Sequence, residues 1–123
     1  NTQRVIFECP VCRTPITRPL VQLPKDTPMT FDDGQAAIPR GYFNLSDGGL
    51  DGAPGSVVIH LEDLCNTSHH PEGRRNNGCC GLDGCDGPNL VCPADHEIGT
   101  EKSDCWTPHA ALLLPSVGRR DVD

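Results

Sequence analysis

The sequence predicts a small, mostly β fold whose hydrophobic core is too thin to hold it alone, and three observations predict it. At 123 residues and 13.2 kDa the chain has the length of one domain. Thirteen glycines and twelve prolines make up about a fifth of it, against one Trp, one Tyr and three Phe. Its apolar stretches are short, β-branched and divided by turn residues, which is a strand pattern and not a helical one. A chain of this kind needs staples, and eight cysteines are there to supply them.

The elements follow in order. Residues 4–23 read as a hairpin: Val5-Ile6-Phe7 leads into Cys9-Pro10-Val11-Cys12, and 16–23 leads out. Pro15 and Pro19 confine that second strand to an edge. Residues 24–33 are polar and proline-bearing, hence loop, while Ala36-Ala37-Ile38 and Tyr42-Phe43-Asn44-Leu45 are short segments able to pack on the core. Residues 46–56 carry four glycines and two Asp-Gly pairs, a turn composition without the EF-hand spacing. Val57-Val58-Ile59-His60-Leu61 is the best buried strand, with His60 expected as a hydrogen-bonded core residue, and 61–64 adds one helical turn. Residues 65–92 are dense in Cys, His, Gly and Asn without periodicity, so only metal or disulfides would order them. Residues 96–102 and 109–114 read as the two arms of a closing β pair, and 119–123 as a frayed tail. The domain expectation is a single unit, 1–123, with a loop-rich insertion at 24–78 and a tail at 117–123.

Metal ligands are abundant. A C-x-x-C on a tight turn aims both sulfurs at one point, as half of a tetrahedral zinc site requires. Beside Cys9/Cys12 stand Cys65 with His69/His70, Cys79/Cys80/Cys85, Cys92 with His96, and Cys105 with His109. Three of these share a C-x-x-x-H spacing. Cys9-Pro10-Val11-Cys12 followed by Ile16, and Cys92-Pro93-Ala94-Asp95-His96 followed by Ile98, echo one another. Together they resemble the zinc ribbon, in which two C-P-x-C knuckles clasp one zinc between β-hairpins.

The resemblance covers residues 4–20 and 89–102 and implies zinc-ribbon-like hairpins around one zinc. Asp95 stands where the family has its second cysteine, leaving His96, Asp95 or a distant cysteine to complete the site. Cys79-Cys80 is the obvious supplier, and successive side chains of an extended chain point apart, so one of the two joins the knuckles. The first-choice site is Cys9, Cys12, Cys80 and Cys92, with Cys79 close behind Cys80. The other of the two packs, or holds a second ion with Cys65, His69 or His70, and Cys85. Thiolates select zinc or iron over magnesium or calcium, but the closely spaced cysteine runs of ferredoxins are missing and Arg13 spoils a haem-attachment motif. The competing reading is an all-disulfide domain, for which eight cysteines allow 105 pairings.

A formal charge of −7 excludes nucleic acid as the main partner and points to a protein one. Arg74-Arg75 and Arg119-Arg120 read as solvated loop or tail. The longest apolar run, 110–114, is far short of the roughly 18 residues that suggest a membrane span. No signal peptide is visible in these residues; the expected location is cytoplasmic, with a secreted disulfide-stapled domain as the alternative. No catalytic residue emerges. Cys105, His109 and Asp104 lie on no recognisable nucleophile turn. Pro15 and Pro19 forbid the helix a thioredoxin-like motif needs. His60-Leu61-Glu62 spells the deaminase H-x-E without the following P-C-x-x-C, and no nucleotide-binding glycine pattern exists. Trp106 reads as a core or zinc-shielding aromatic. The expected role is an accessory subunit or interaction module, the alternative a small metal-dependent or thiol redox enzyme.

Overall fold

A computed structural model describes residues 3–24, 26–30, 32–46, 54–85 and 87–122, and the chain is mostly β. The strands are β1 (Arg4–Glu8), β2 (Leu20–Gln22), β3 (Tyr42–Leu45), β4 (Val57–Ile59), β5 (Ser68–His69), β6 (Leu90–Val91), β7 (Glu97–Lys102), β8 (Ala110–Leu113) and β9 (Gly118–Val122). Short 3-10 turns cover Leu61–Asp63 and Gly73–Arg75. Among the described residues these nine strands join one sheet in the order β5-β6-β7-β8-β4-β3-β2-β1-β9, antiparallel except for the β2–β3 pair.

That sheet is not flat. β6 and β1 stand six steps apart in the order, which in a flat sheet would separate them by roughly 29 Å at about 4.8 Å per strand. Yet the sulfurs of Cys12, in the turn after β1, and Cys92, directly after β6, lie 3.6 Å apart. The sheet therefore curls until its two ends face each other. Val5, Phe7, Ile16, Leu20, Phe43, Val57, Ile59, Leu90, Ile98, Ala111 and Leu113 fill the concave side. Phe7 meets Phe43 edge-on at 5.1 Å between centroids, a favoured aromatic geometry.

β4 and β8 are buried on both faces, which explains their unbroken apolar sequences. Val57, Ile59, Ala111 and Leu113 point inward. Val58, Ala110 and Leu112 point outward, where Leu23, Ala37 and Ile38 cover them as a second small core. The expected buried strand, the helical turn at 61–64 and the closing pair of arms (now β7 and β8) are all present. His60 is half-buried and caps its turn, its Nδ1 accepting from the Glu62 amide at 3.0 Å.

Two expectations are corrected, those for the C-terminal residues and for Trp106. Residues 118–122 are a strand, not a tail: β9 pairs with the whole of β1, from Arg4 opposite Val122 to Glu8 opposite Gly118. Its two arginines are held, Arg119 over the Phe43 ring at 5.2 Å and Arg120 against the buried Glu8 carboxylate at 3.4 Å. Residues 24–78 include β3 and β4, which sit in the middle of the sheet. Trp106 is 72% exposed and shields nothing. The glycine-rich loop at 46–56 lies mostly outside the described residues; its ends meet through the Ser46 amide on the Ser56 carbonyl at 2.8 Å.

Candidate metal centre

Each half of the centre is a turn that begins where a strand ends. After β1, the Cys9 amide donates to the Thr14 carbonyl at 2.9 Å and the Arg13 amide to the Cys9 carbonyl at 3.0 Å. Arg13 takes the left-handed conformation, φ 63°, which reverses the chain. The Val11 amide points at the Cys9 sulfur, 3.4 Å away. After β6 the same device recurs with one residue fewer. The Cys92 amide donates to the His96 carbonyl at 3.0 Å, and the Ala94 amide points at the Cys92 sulfur at 3.3 Å. Here Asp95 holds the left-handed position, φ 63°.

That single-residue difference decides the fourth donor. In the first turn the left-handed residue follows Cys12; in the second it occupies the equivalent of Cys12 itself. Asp95 is spent on the reversal and stays exposed, and the next residue, His96, turns its ring back toward the sulfurs. Cys9, Cys12, Cys92 and His96 bring their ligand atoms within 4.8 Å of one another. His96 Nδ1 is 3.3 Å from the Cys92 sulfur and 3.6 Å from that of Cys9, and the Cys12 and Cys92 sulfurs are 3.6 Å apart. A tetrahedron with Zn–S of about 2.3 Å and Zn–N of about 2.0 Å demands roughly 3.8 Å between sulfurs and 3.5 Å from sulfur to nitrogen. The four donors fit a tetrahedral ion.

The surroundings act in opposite directions on two of the sulfurs. The Thr14 hydroxyl, 3.1 Å from the Cys12 sulfur, and then the Thr14 amide bring that thiol down to about 6. Burial pushes the Cys92 thiol up, opposed by hydrogen bonds from the His96 and Ala94 amides. An ion held by Nδ1 would leave the imidazole proton on Nε2.

Of the six ligands expected from sequence, four therefore converge. Cys79 and Cys80 lie elsewhere, in a second group with Cys105, and the Cys80 and Cys105 sulfurs are bonded as a disulfide. The ligands expected for a second ion do not assemble. The Cys65 sulfur faces the Pro15 carbonyl at 3.9 Å, its thiol pushed up by burial. His69 and His70 turn to Glu101 and Glu97, at 3.1 and 3.0 Å. Cys85 is exposed, its amide donating to Asp83. Cys105, which spacing paired with His109, is instead brought to Cys80 across 25 positions. Arg74 and Arg75 are also engaged: Arg74 pairs with Glu72 at 2.9 Å, and Arg75 donates to the Pro88 carbonyl at 3.0 Å. Compared with known proteins, the chain matches no family model, no curated protein and no solved structure. The zinc-ribbon resemblance rests on the two knuckle turns alone.

Proposed function

We propose that the chain is a small structural-zinc-binding protein serving as an accessory subunit or protein-interaction module in the cytoplasm. The observation that carries this reading is the convergence of three cysteine sulfurs and one imidazole nitrogen within 4.8 Å, on two turns that rise from opposite ends of a curled sheet. Four such donors complete a tetrahedron and leave no position for water, which is the signature of a structural and not a catalytic site. Thiolate and imidazole donors in that geometry suit zinc, whose filled shell brings neither redox chemistry nor a competing geometric preference. Zinc here would tie β1 to β6, which the sheet's hydrogen bonds leave unjoined. The acidic composition argues for a protein partner, and Val11 and Trp106, 66% and 72% exposed, offer apolar contacts beside the two cysteine groups.

Elemental analysis of the native chain tests the assignment and should find about one zinc held by the knuckles. Cobalt exchanged into the site should give a tetrahedral thiolate spectrum that does not move with pH near neutrality or with added anions. A spectrum that titrates near pH 7 would reveal a bound water and overturn the structural role.

A further inference from the structure

Away from the knuckles, Cys79, Cys80 and Cys105 place three exposed sulfurs within 4.8 Å of one another. One buried carboxylate organises the loops that carry them. Asp104, 3% exposed, accepts from the amides of Cys79 at 2.9 Å, Cys80 at 3.1 Å and Cys105 at 2.7 Å. Both of its oxygens are thus engaged by backbone, so it is a template for the three cysteines. Gly78 and Gly81 allow the bend that turns two successive cysteines the same way: a Cβ on Gly78 would collide with the Gly81 carbonyl, and one on Gly81 with that of Ser103. Such convergence does not occur in an extended chain, where neighbours point to opposite faces.

We propose that these three residues form a second metal site, for a thiophilic cation, which the Cys80–Cys105 disulfide closes and reduction opens. In the oxidised chain two of the three donors are consumed by the sulfur–sulfur bond. An external dithiol opens it: two electrons and two protons pass to Cys80 and Cys105, the S–S bond breaks, and the dithiol leaves as its own disulfide. Binding of the cation then releases the protons of the three thiols. The group contributes three ligand atoms, so the fourth place of a tetrahedral ion falls to water or an outside donor, and the ion is exchangeable. Soft donors of this kind select zinc, copper(I) or cadmium over hard cations.

The test uses the full chain with its knuckle metal in place and cadmium as the probe. The chain is compared as oxidised and after reduction by a dithiol that is removed without air. Total bound metal should rise by one ion per chain on reduction, with new sulfur-to-cadmium absorption, and return on reoxidation. Alkylation read by mass spectrometry should show Cys79, Cys80 and Cys105 protected by cadmium only in the reduced chain. Cys79→Ser keeps the disulfide but should weaken the additional ion by more than the roughly 10–100-fold that changes behind a ligand cost. The same metal count in both redox states, an additional ion indifferent to Cys79→Ser, or three thiols alkylated in the presence of cadmium would overturn the proposal. Failure at the knuckles is distinguishable, because it would change the protection of Cys9, Cys12 and Cys92 instead.

Discussion

The two cysteine clusters differ less in their donors than in where the neighbouring amides point. At the knuckles the Val11 and Ala94 amides are aimed at sulfur, 3.4 and 3.3 Å from Cys9 and Cys92. At Cys92 that contact opposes the burial that pushes the thiol up. In the other cluster the amides of Cys79, Cys80 and Cys105 are all given to the Asp104 carboxylate, which lies below the ordinary carboxylate range chiefly through the Cys79 and Cys80 amides. Its sulfurs receive none of them, stand exposed on loops, and two have joined. Cys9 and Cys92, by contrast, are fully buried at the ends of strands. Backbone geometry around each cysteine, more than the number of cysteines, separates a metal centre from a disulfide.

The contrast predicts opposite responses to chelator and to reductant. Structural zinc contributes apparent energies on the order of 10 kcal/mol in small domains. Stripping the metal should therefore expose the amides of residues 4–20 and 89–102 together in hydrogen exchange, while reductant alone leaves them protected. Protection that survives the chelator but falls to reductant would reverse the roles assigned to the two clusters.

Next in size is His96→Ala. Three sulfurs remain, so metal is retained, but affinity should fall more than the roughly 100-fold that a change behind a ligand costs. Water should then fill the vacated position, and the cobalt spectrum, expected not to move with pH in the wild type, should titrate near pH 7. Cys80→Ser should act only on the other cluster. Its bond closes a loop of 25 positions, for which chain entropy gives a stabilisation of about 2–4 kcal/mol. Denaturant unfolding should show that loss with knuckle zinc content unchanged; loss of zinc from this variant would tie Cys80 to the knuckles after all.

Much of this was legible in the residues, and the failures have physical causes. Cys9-Pro10-Val11-Cys12 announced its turn because spacing and proline restrict the backbone locally. Val57 to Ile59 announced a strand because both of its faces are apolar. The choice of His96 over Cys80 was not legible, because it depends on which residue turns left-handed, Arg13 in one knuckle and Asp95 in the other, and spacing does not encode that. Nor was β9: Arg119-Arg120-Asp121 is the composition of a solvated tail until Phe43 and Glu8 are brought beneath it. Trp106 misled for the opposite reason, since scarcity of aromatics suggested a core position that the fold fills with branched aliphatics.

The smallest expected effect marks the boundary of the second cluster. Cys85 is exposed, lies five residues beyond Cys80, and belongs to neither convergent group. Its amide donates to Asp83 Oδ1 at 2.9 Å, a contact that serine preserves. Since the residue is exposed and that contact is kept, Cys85→Ser should change stability by no more than about 0.5 kcal/mol. Metal content should also be unchanged in both redox states, because the three-sulfur group is complete without it. If the reduced variant instead bound its additional ion more weakly, the loop after Gly81 would have to close further than the structure shows and Cys85 would be the fourth donor. The second cluster would then be a closed centre like the first, and the contrast between a permanent and an exchangeable site would fail at that residue.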